Sequence, residues 1–441
     1  MHKSIKLATA HLTNSTADFT NPRISEGCDT IRVHGLLERP RVLVSLSAFA
    51  ISAKILLSSL SILSYDFTFL LKNLATNWMK APVPYVTITG PFYELWLALP
   101  VNHPDLRIWI GGGPPPLEPS TYLLAFLVKL PILIADLVCA FLIKKLVDDH
   151  TSSSKGTLAA AIWLLNPYVL LTGEMQGSIE LIPIASTLAG ILFLKRRRVT
   201  LGSFFVGLGI ALKLFPLLLL PALSIYYIRL RKVRDFLKIL IGSMLGLSLY
   251  ATWVSAWGID FGGSLVNITP FTTIASELIL TPYASKIGLA TISALIFCFI
   301  LCIHWVMREE NLFDVVFGFL LAYMAFYDWW PQNLLWLVSF MTIDLVVSGK
   351  RARFYYVVLL LSAFLIGLIL FEFAPLNSVF FVPAFTPPME STSKLLHQIY
   401  QNINMVLIGS PISRSIYAGI ALFYSLGICV RNSPRLKALF G

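Results

Sequence analysis

The sequence predicts an all-α polytopic membrane protein of about ten transmembrane helices, with one broken, re-entrant helix and several half-helices on the outer side. Three observations carry this. Of 441 residues, 56% are hydrophobic and only 13% charged, too apolar a balance for a soluble chain of two or three domains. Runs such as 121–143 and 236–257 reach the ~20 apolar residues that cross a hydrocarbon core. Most of the 34 Lys and Arg residues collect on alternate connections, the positive-inside pattern of cytoplasmic loops. The formal charge of +11 then reads as an orientation signal and a contact for anionic membrane lipids, not for nucleic acid.

The elements follow in order. Residues 1–41 hold no apolar core of the ~7–15 residues that a cleavable signal needs, and read as a cytoplasmic amino-terminal extension. The first span, 42–64, delivers Tyr65 and Asp66 to the outer side. An outer loop over 65–119 contains the Gly/Pro turn 111–116 and the half-apolar stretch 92–101, expected as an interfacial helix. Residues 120–143 return and stop at Lys144 and Lys145. The chain goes out over 157–172, turns at 173–177 and comes back over 178–194 to the basic run 195–198. Segment 201–228 has basic clusters at both ends, so a single crossing would break the charge rule. Gly207, Gly209, Pro216 and Pro221 predict a helix that breaks and returns. Residues 236–257 go out, 258–284 form an outer loop, and 286–307, 311–327, 330–348 and 353–372 alternate. A third outer loop, 373–412, precedes the last span, 413–430, and a cytoplasmic tail, 431–441. The transmembrane domain is thus 42–430, with both termini cytoplasmic. The five cysteines show no pairing or zinc-binding pattern.

Few polar residues are placed where chemistry needs them. Asp66 stands at the outer end of the first span between Tyr65 and Phe67, where apolar neighbours suit a carboxylate to take a proton from a hydroxyl; the structural alternative is a solvated helix-end acid. The turn after Asn166-Pro167 brings Glu174, Gln176 and Glu180 to one outer surface. Glu180 lies just inside the next span, which is costly without partners, and its structural alternative is a bond to Asn166 or a backbone amide that fixes the hairpin. Lys213, in the broken helix, needs a counter-charge and suits a phosphate; its structural alternatives are snorkelling or a pair with Asp136. Lys129 and Asp136 share a helix face and suit other buried groups. Trp329 and Trp330 fit an interfacial belt, whereas Asp328 and Gln332 suit a sugar or phosphate. No phosphate-binding Gly-rich loop, paired metal-spaced His or nucleophile elbow is present.

Four stretches of this sequence resemble the C superfamily of membrane glycosyltransferases, which use lipid-phosphate-linked sugars. They are Tyr65-Asp66; Trp163 to Tyr168 with Gln176 to Glu180; Gly207 to Pro216; and Pro331 to Trp336. The branch they look most like contains the catalytic subunit of GPI mannosyltransferase I and related prokaryotic polyprenyl-phosphate-mannose enzymes. The resemblance implies transfer of a hexose, mannose in that branch, from polyprenyl or dolichyl phosphate to a lipid-linked or glycoconjugate acceptor at the outer or lumenal face, with inversion. It implies Asp66 as the catalytic base, Lys213 and Arg107 on the donor phosphate, and Gln176, Glu180, Asp328 and Gln332 around the sugar or acceptor. Eukaryotic members carry a paired-acid Asp-x-Asp motif, but Phe67 and Thr68 follow Asp66 here. No cofactor is therefore expected, and a divalent metal is not supported. The location implied is the cell membrane in a prokaryote and the endoplasmic reticulum membrane in a eukaryote, with room for a partner subunit. Two other classes remain open: a non-catalytic lipid-binding subunit similar to one in the GPI transamidase, which tolerates loss of Asp66, and a transporter or flippase, which requires an inverted repeat that the sequence lacks.

Overall fold

The computed structural model describes residues 40–60, 70–75, 86–103, 106, 118–213, 215–256, 312–326, 331–348, 352–359 and 419–428. Among them the regular elements are all helical: α1 (Pro40–Leu60), α2 (Val86–Ala98), α3 (Pro119–Asp148), α4 (Ser153–Leu164), α5 (Leu181–Lys195), α6 (Val199–Leu212), α7 (Leu219–Arg229), α8 (Val233–Ala256), α9 (Leu312–Phe326) and α10 (Leu334–Ser348). Short non-α pieces join some of them: π-helical Leu170–Met175, and 3₁₀ turns at Phe215–Leu218 and Pro331–Asn333.

Two described helices, α3 with 30 residues and α8 with 24, are long and apolar enough to cross a membrane. A third crossing results if α4 and the segment through Met175, bent by 43°, form one span. The expected total of about ten includes 286–307, most of 353–372 and both ends of 413–430, which lie outside the described residues. So do the extension 1–39, the loop 258–284, the segment 373–412 and the tail 431–441.

α3 is the central post. It is apolar all round: Ile134, Val138 and Phe141 face outward, as suits a lipid-facing stripe, while Ile132, Cys139, Ile143 and Leu146 join the main core with α4, α5, α6, α9 and α10. α4 stops because Pro167 has no N–H for a continuing helix and pushes Asn166 into extended geometry (φ −62, ψ 119). The Asn166 side chain then accepts from the Tyr168 N–H at 2.8 Å and restarts the helix.

The segment expected to break is divided between α6 and α7. α6 and α8 run parallel through facing glycines: a Cβ on Gly242 would lie 2.6 Å from the Thr200 carbonyl oxygen, and one on Gly246 would meet Phe204 and Leu208. Parallel neighbours require the chain to reverse between them. α6, with 14 residues, rises only ~21 Å, short of the ~30 Å hydrocarbon core. It ends at Lys213, whose backbone is extended (φ −157, ψ 136); Pro216 lacks the N–H that would bond Leu212. α7 then carries the chain back to Arg229.

Basic residues gather at one end of the bundle. There Arg196 Nε and Nη2 donate to Asp149 at 3.0 and 3.1 Å, tying α5 to α3. α5 and α7 close with the same turn, in which Arg198 N–H bonds Phe193 O and Lys232 N–H bonds Tyr227 O. Arg197 and Arg231 hold the left-handed position (φ 60 and 55) that glycine usually takes.

At the far end, a second cluster packs Leu70, Leu71, Leu74, Tyr93 and Trp96 on Leu124 and Val128 of α3. The stretch expected as an interfacial helix at 92–101 is α2, which begins earlier, at Val86, and runs through Pro91. One side packs on α3, where Trp96 is buried and its Nε1 donates to Ser120 O at 2.9 Å, while Leu95 and Leu97 are exposed.

Candidate active site

The 173–180 turn is built on the π-helix. Gln176 N–H reaches back five residues to Leu171 O at 3.0 Å, widening the last turn; such π segments are frequent at functional sites. Carbonyls at its end need donors, and a buried lysine supplies them: Lys129 Nζ donates to Glu174 O at 3.2 Å and Met175 O at 3.1 Å. Gly177 follows with φ +73, and a Cβ there would lie 3.1 Å from Lys129 Cε. Backbone sign and space both demand glycine. Lys129 sits roughly 15 Å along α3 from Pro119 at 1.5 Å per residue. The turn is therefore sunk below the far end of α3, alongside the cluster that 70–74 and α2 form on that helix.

That burial corrects one expectation. Glu174, Gln176 and Glu180 do not share an open surface; all are buried, and the two acids have different partners. Glu174 meets α1, with Lys54 Nζ on Oε1 at 3.2 Å and Ser58 Oγ on Oε2 at 2.9 Å. Glu180 meets the broken helix and α10. It stands at the amino terminus of α5, where the helix dipole favours an anion. Its Oε2 accepts from Trp336 Nε1 at 2.8 Å, and its Oε1 is ion-paired with Lys213.

Lys213 also donates to Asn333 Oδ1 at 3.4 Å, and it keeps a quarter of its side chain exposed where Glu180 has almost none. Lys213 is thus the more exposed member of the pair. The Phe215 ring backs Trp336 at 4.7 Å between centroids. The alternative pairing of Lys213 with Asp136 does not occur, because Asp136 is held by Lys54 at 2.8 Å and by Trp163 Nε1 at 2.7 Å. Nor does Glu180 bond Asn166, whose Nδ2 donates to Tyr356 OH at 2.6 Å.

Of the residues singled out from the sequence, Glu180 and Lys213 meet directly. Gln332 is half-buried in the turn before α10, next in sequence to Asn333, and Gln176 lies in the hairpin that leads to Glu180. Asp66, Arg107 and Asp328 lie outside the described residues. Trp336, Asn333, Lys54 and Ser58 were given no site role from sequence, although a lysine inside an apolar run already calls for a buried partner. Among the described residues, no three His, Cys, Asp or Glu side chains gather closely enough to hold a metal ion.

With that geometry in view, the chain can be set beside known proteins. It is 28% identical over 138 residues to GPI mannosyltransferase 1 of Kluyveromyces lactis, covering 28% of this chain and 34% of the relative. Against the protein of that name from Saccharomyces cerevisiae it is 34% identical over 101 residues, 22% of this chain and 25% of the relative. For the Dictyostelium discoideum protein the figures are 30% over 136 residues, 27% and 30%. Over these stretches the chain is similar to GPI mannosyltransferase 1. The matches span about a third or less of the length of these curated relatives. No family model and no solved structure matches the chain.

Proposed function

We propose that this protein is a membrane mannosyltransferase that moves one mannose from polyprenyl or dolichyl phosphate to a lipid-linked or glycoconjugate acceptor at the face opposite its basic end, the outer or lumenal face. The observation that carries this is the Glu180–Lys213 pair, placed where a re-entrant helix breaks and flanked by Trp336 and Asn333. A lipid-phosphate donor needs a cation at the edge of the bilayer, a polar wall for the sugar, and an anchor for its apolar tail within the membrane. The similarity to GPI mannosyltransferase 1 supports the sugar.

In this mechanism the acceptor hydroxyl oxygen bonds the anomeric carbon as the anomeric C–O bond to phosphate breaks. The hydroxyl proton passes to the Asp66 carboxylate, and the electron pair leaves with polyprenyl phosphate. The centre inverts, and no metal takes part. Lys213 and Arg107 hold the developing phosphate charge; Gln176, Glu180, Asp328 and Gln332 shape the sugar and acceptor sites. The domain division follows the charge pattern, with a cytoplasmic extension at 1–41, the transferase domain at 42–430 and a cytoplasmic tail at 431–441.

Membranes carrying the protein, given radiolabelled mannosyl phosphoryl polyprenol and an acceptor fraction, should form labelled acceptor. Asp66→Asn keeps the size of the side chain but removes the base, and should lower turnover by about 10²–10⁴-fold with donor KM little changed. Near-normal turnover in a correctly inserted Asp66→Asn variant would leave the transferase proposal without its base.

A further inference from the structure

α1 is an edge helix. Val44, Phe49 and Leu56 on its outward face are more than half exposed, as suits a lipid-facing surface. A helix held to a bundle only by apolar packing can slide by one turn, ~5.4 Å, and recover similar contacts. α1 is instead hooked by charge. Lys54 and Ser58, one turn apart and fully buried, take the two oxygens of the same Glu174 carboxylate, and Lys54 also grips Asp136 on α3 at 2.8 Å. Two bonds from adjacent turns to one carboxylate fix both the height and the rotation of the helix. Glu174 in turn belongs to the π-helix whose end Lys129 caps.

Such a network is an expensive way to stabilise a fold, since well-packed apolar side chains of similar volume do as well or better. What apolar packing does not supply is register. We propose that Lys54 is a positioning residue for mannosyl transfer: its bonds to Glu174 and Asp136 lock the span that leads into Asp66 against the turn that carries Gln176 and Glu180. The proposal rests on the transferase reading with Asp66 as base. A base that must meet one hydroxyl at hydrogen-bond distance loses its effect when its supporting helix shifts by ångströms.

Two readouts test it. In membranes active for mannose transfer, Lys54→Met should lower kcat by about 10–100-fold and change donor KM less than about 3-fold, because the Lys213 site is untouched. Lys54→Arg, which keeps the charge and reach, should recover most of kcat. The second readout needs no activity: with the native cysteines replaced, Gln176→Cys is a buried probe of the turn. Its reaction with a small thiol reagent should quicken about 10-fold or more in the Lys54→Met background and stay slow with Lys54→Arg. Unchanged labelling together with unchanged kcat overturns the proposal, as does a loss of activity that only tracks the amount of folded protein or falls on donor KM. If the parent protein transfers no mannose, the transferase reading fails by itself, and the labelling arm alone decides whether Lys54 locks the turn.

Discussion

Lys213 has two candidate roles, counter-ion of Glu180 and contact for the donor phosphate, and a double-variant cycle separates them. Lys213→Met leaves the Glu180 carboxylate, almost wholly buried, with only Trp336 as a neutral donor. Breaking a buried pair in this way costs about 3–5 kcal/mol. Glu180→Gln is milder, because the Lys213 side chain is a quarter exposed and keeps its bond to Asn333, while the new amide oxygen still accepts from Trp336; about 1–2 kcal/mol is expected. Combining the two removes both charges, and stability should return to within about 1 kcal/mol of the parent, a coupling of about 3–6 kcal/mol that reaches or exceeds the ~0.5–3 kcal/mol usual for residues in contact, as a buried charge pair can. Function should not return. A charge-assisted bond to phosphate contributes about 1.5–3 kcal/mol, so donor KM should stay raised by about 10–150-fold in the double variant. Thermal unfolding of detergent-solubilised protein gives the first quantity, and transfer at varied donor concentration gives the second. Recovery of both stability and donor KM in the double variant would reduce Lys213 to a counter-ion.

Gly177→Ala places a side chain in a left-handed turn at a cost of about 1–2 kcal/mol and presses Cβ against Lys129 Cε; its melting temperature should fall and transfer should weaken, whereas Gly419→Ala, which meets nothing within 4 Å, should change neither. Transfer should survive EDTA, and full loss with rescue by manganese or magnesium would reject the metal-free displacement. For sidedness, cysteines replacing two exposed residues suffice in a background lacking the native cysteines: Asn102→Cys should react with an impermeant thiol reagent applied to the outer or lumenal face, Arg197→Cys should not, and the reverse would invert the assignment. His150, just past α3, has its pKa lowered by burial and then by the Lys195 charge, against a smaller opposing pull from Asp149. Its neutral form is the one that folding favours, so this contribution is complete above the ordinary pKa of about 6.5 and is lost as pH falls through the lower folded value; the melting temperature should drop on acidification below that point, with a shallower slope in His150→Gln.

Much of the architecture was legible because membrane solvation makes helix breaks and charges conspicuous. Basic clusters at both ends of 201–228, with Pro216 between them, left a reversal as the consistent path, and α6 breaks at Lys213. The Asn166-Pro167 stop was equally plain, since proline removes a donor that nothing else in an apolar run replaces. The start of α2 was hidden: Gly90-Pro91 reads as a boundary, yet the helix continues upstream to Val86, held on α3 through Trp96 and the cluster around Leu124.

The partners of the buried charges were the harder part, for a physical reason. Lys54, Lys129, Asp136, Glu174, Glu180 and Lys213 all demand partners inside an apolar bundle, and sequence supplies that demand without the pairing. Three lysines and three acids admit several neutral matchings, and a local choice such as Lys213 with Asp136 is as good as any until helix register is known. The π-helix decides it. By inserting one residue into the last turn before Gly177, it sends Glu174 toward α1 and allows Glu180 to begin α5 facing the broken helix. One acid then meets Lys54 and Ser58 of α1, and the other meets Lys213 and Trp336. The hairpin that reads as a single polar surface thus divides into a side packed on α1 and a side packed on the broken helix and α10.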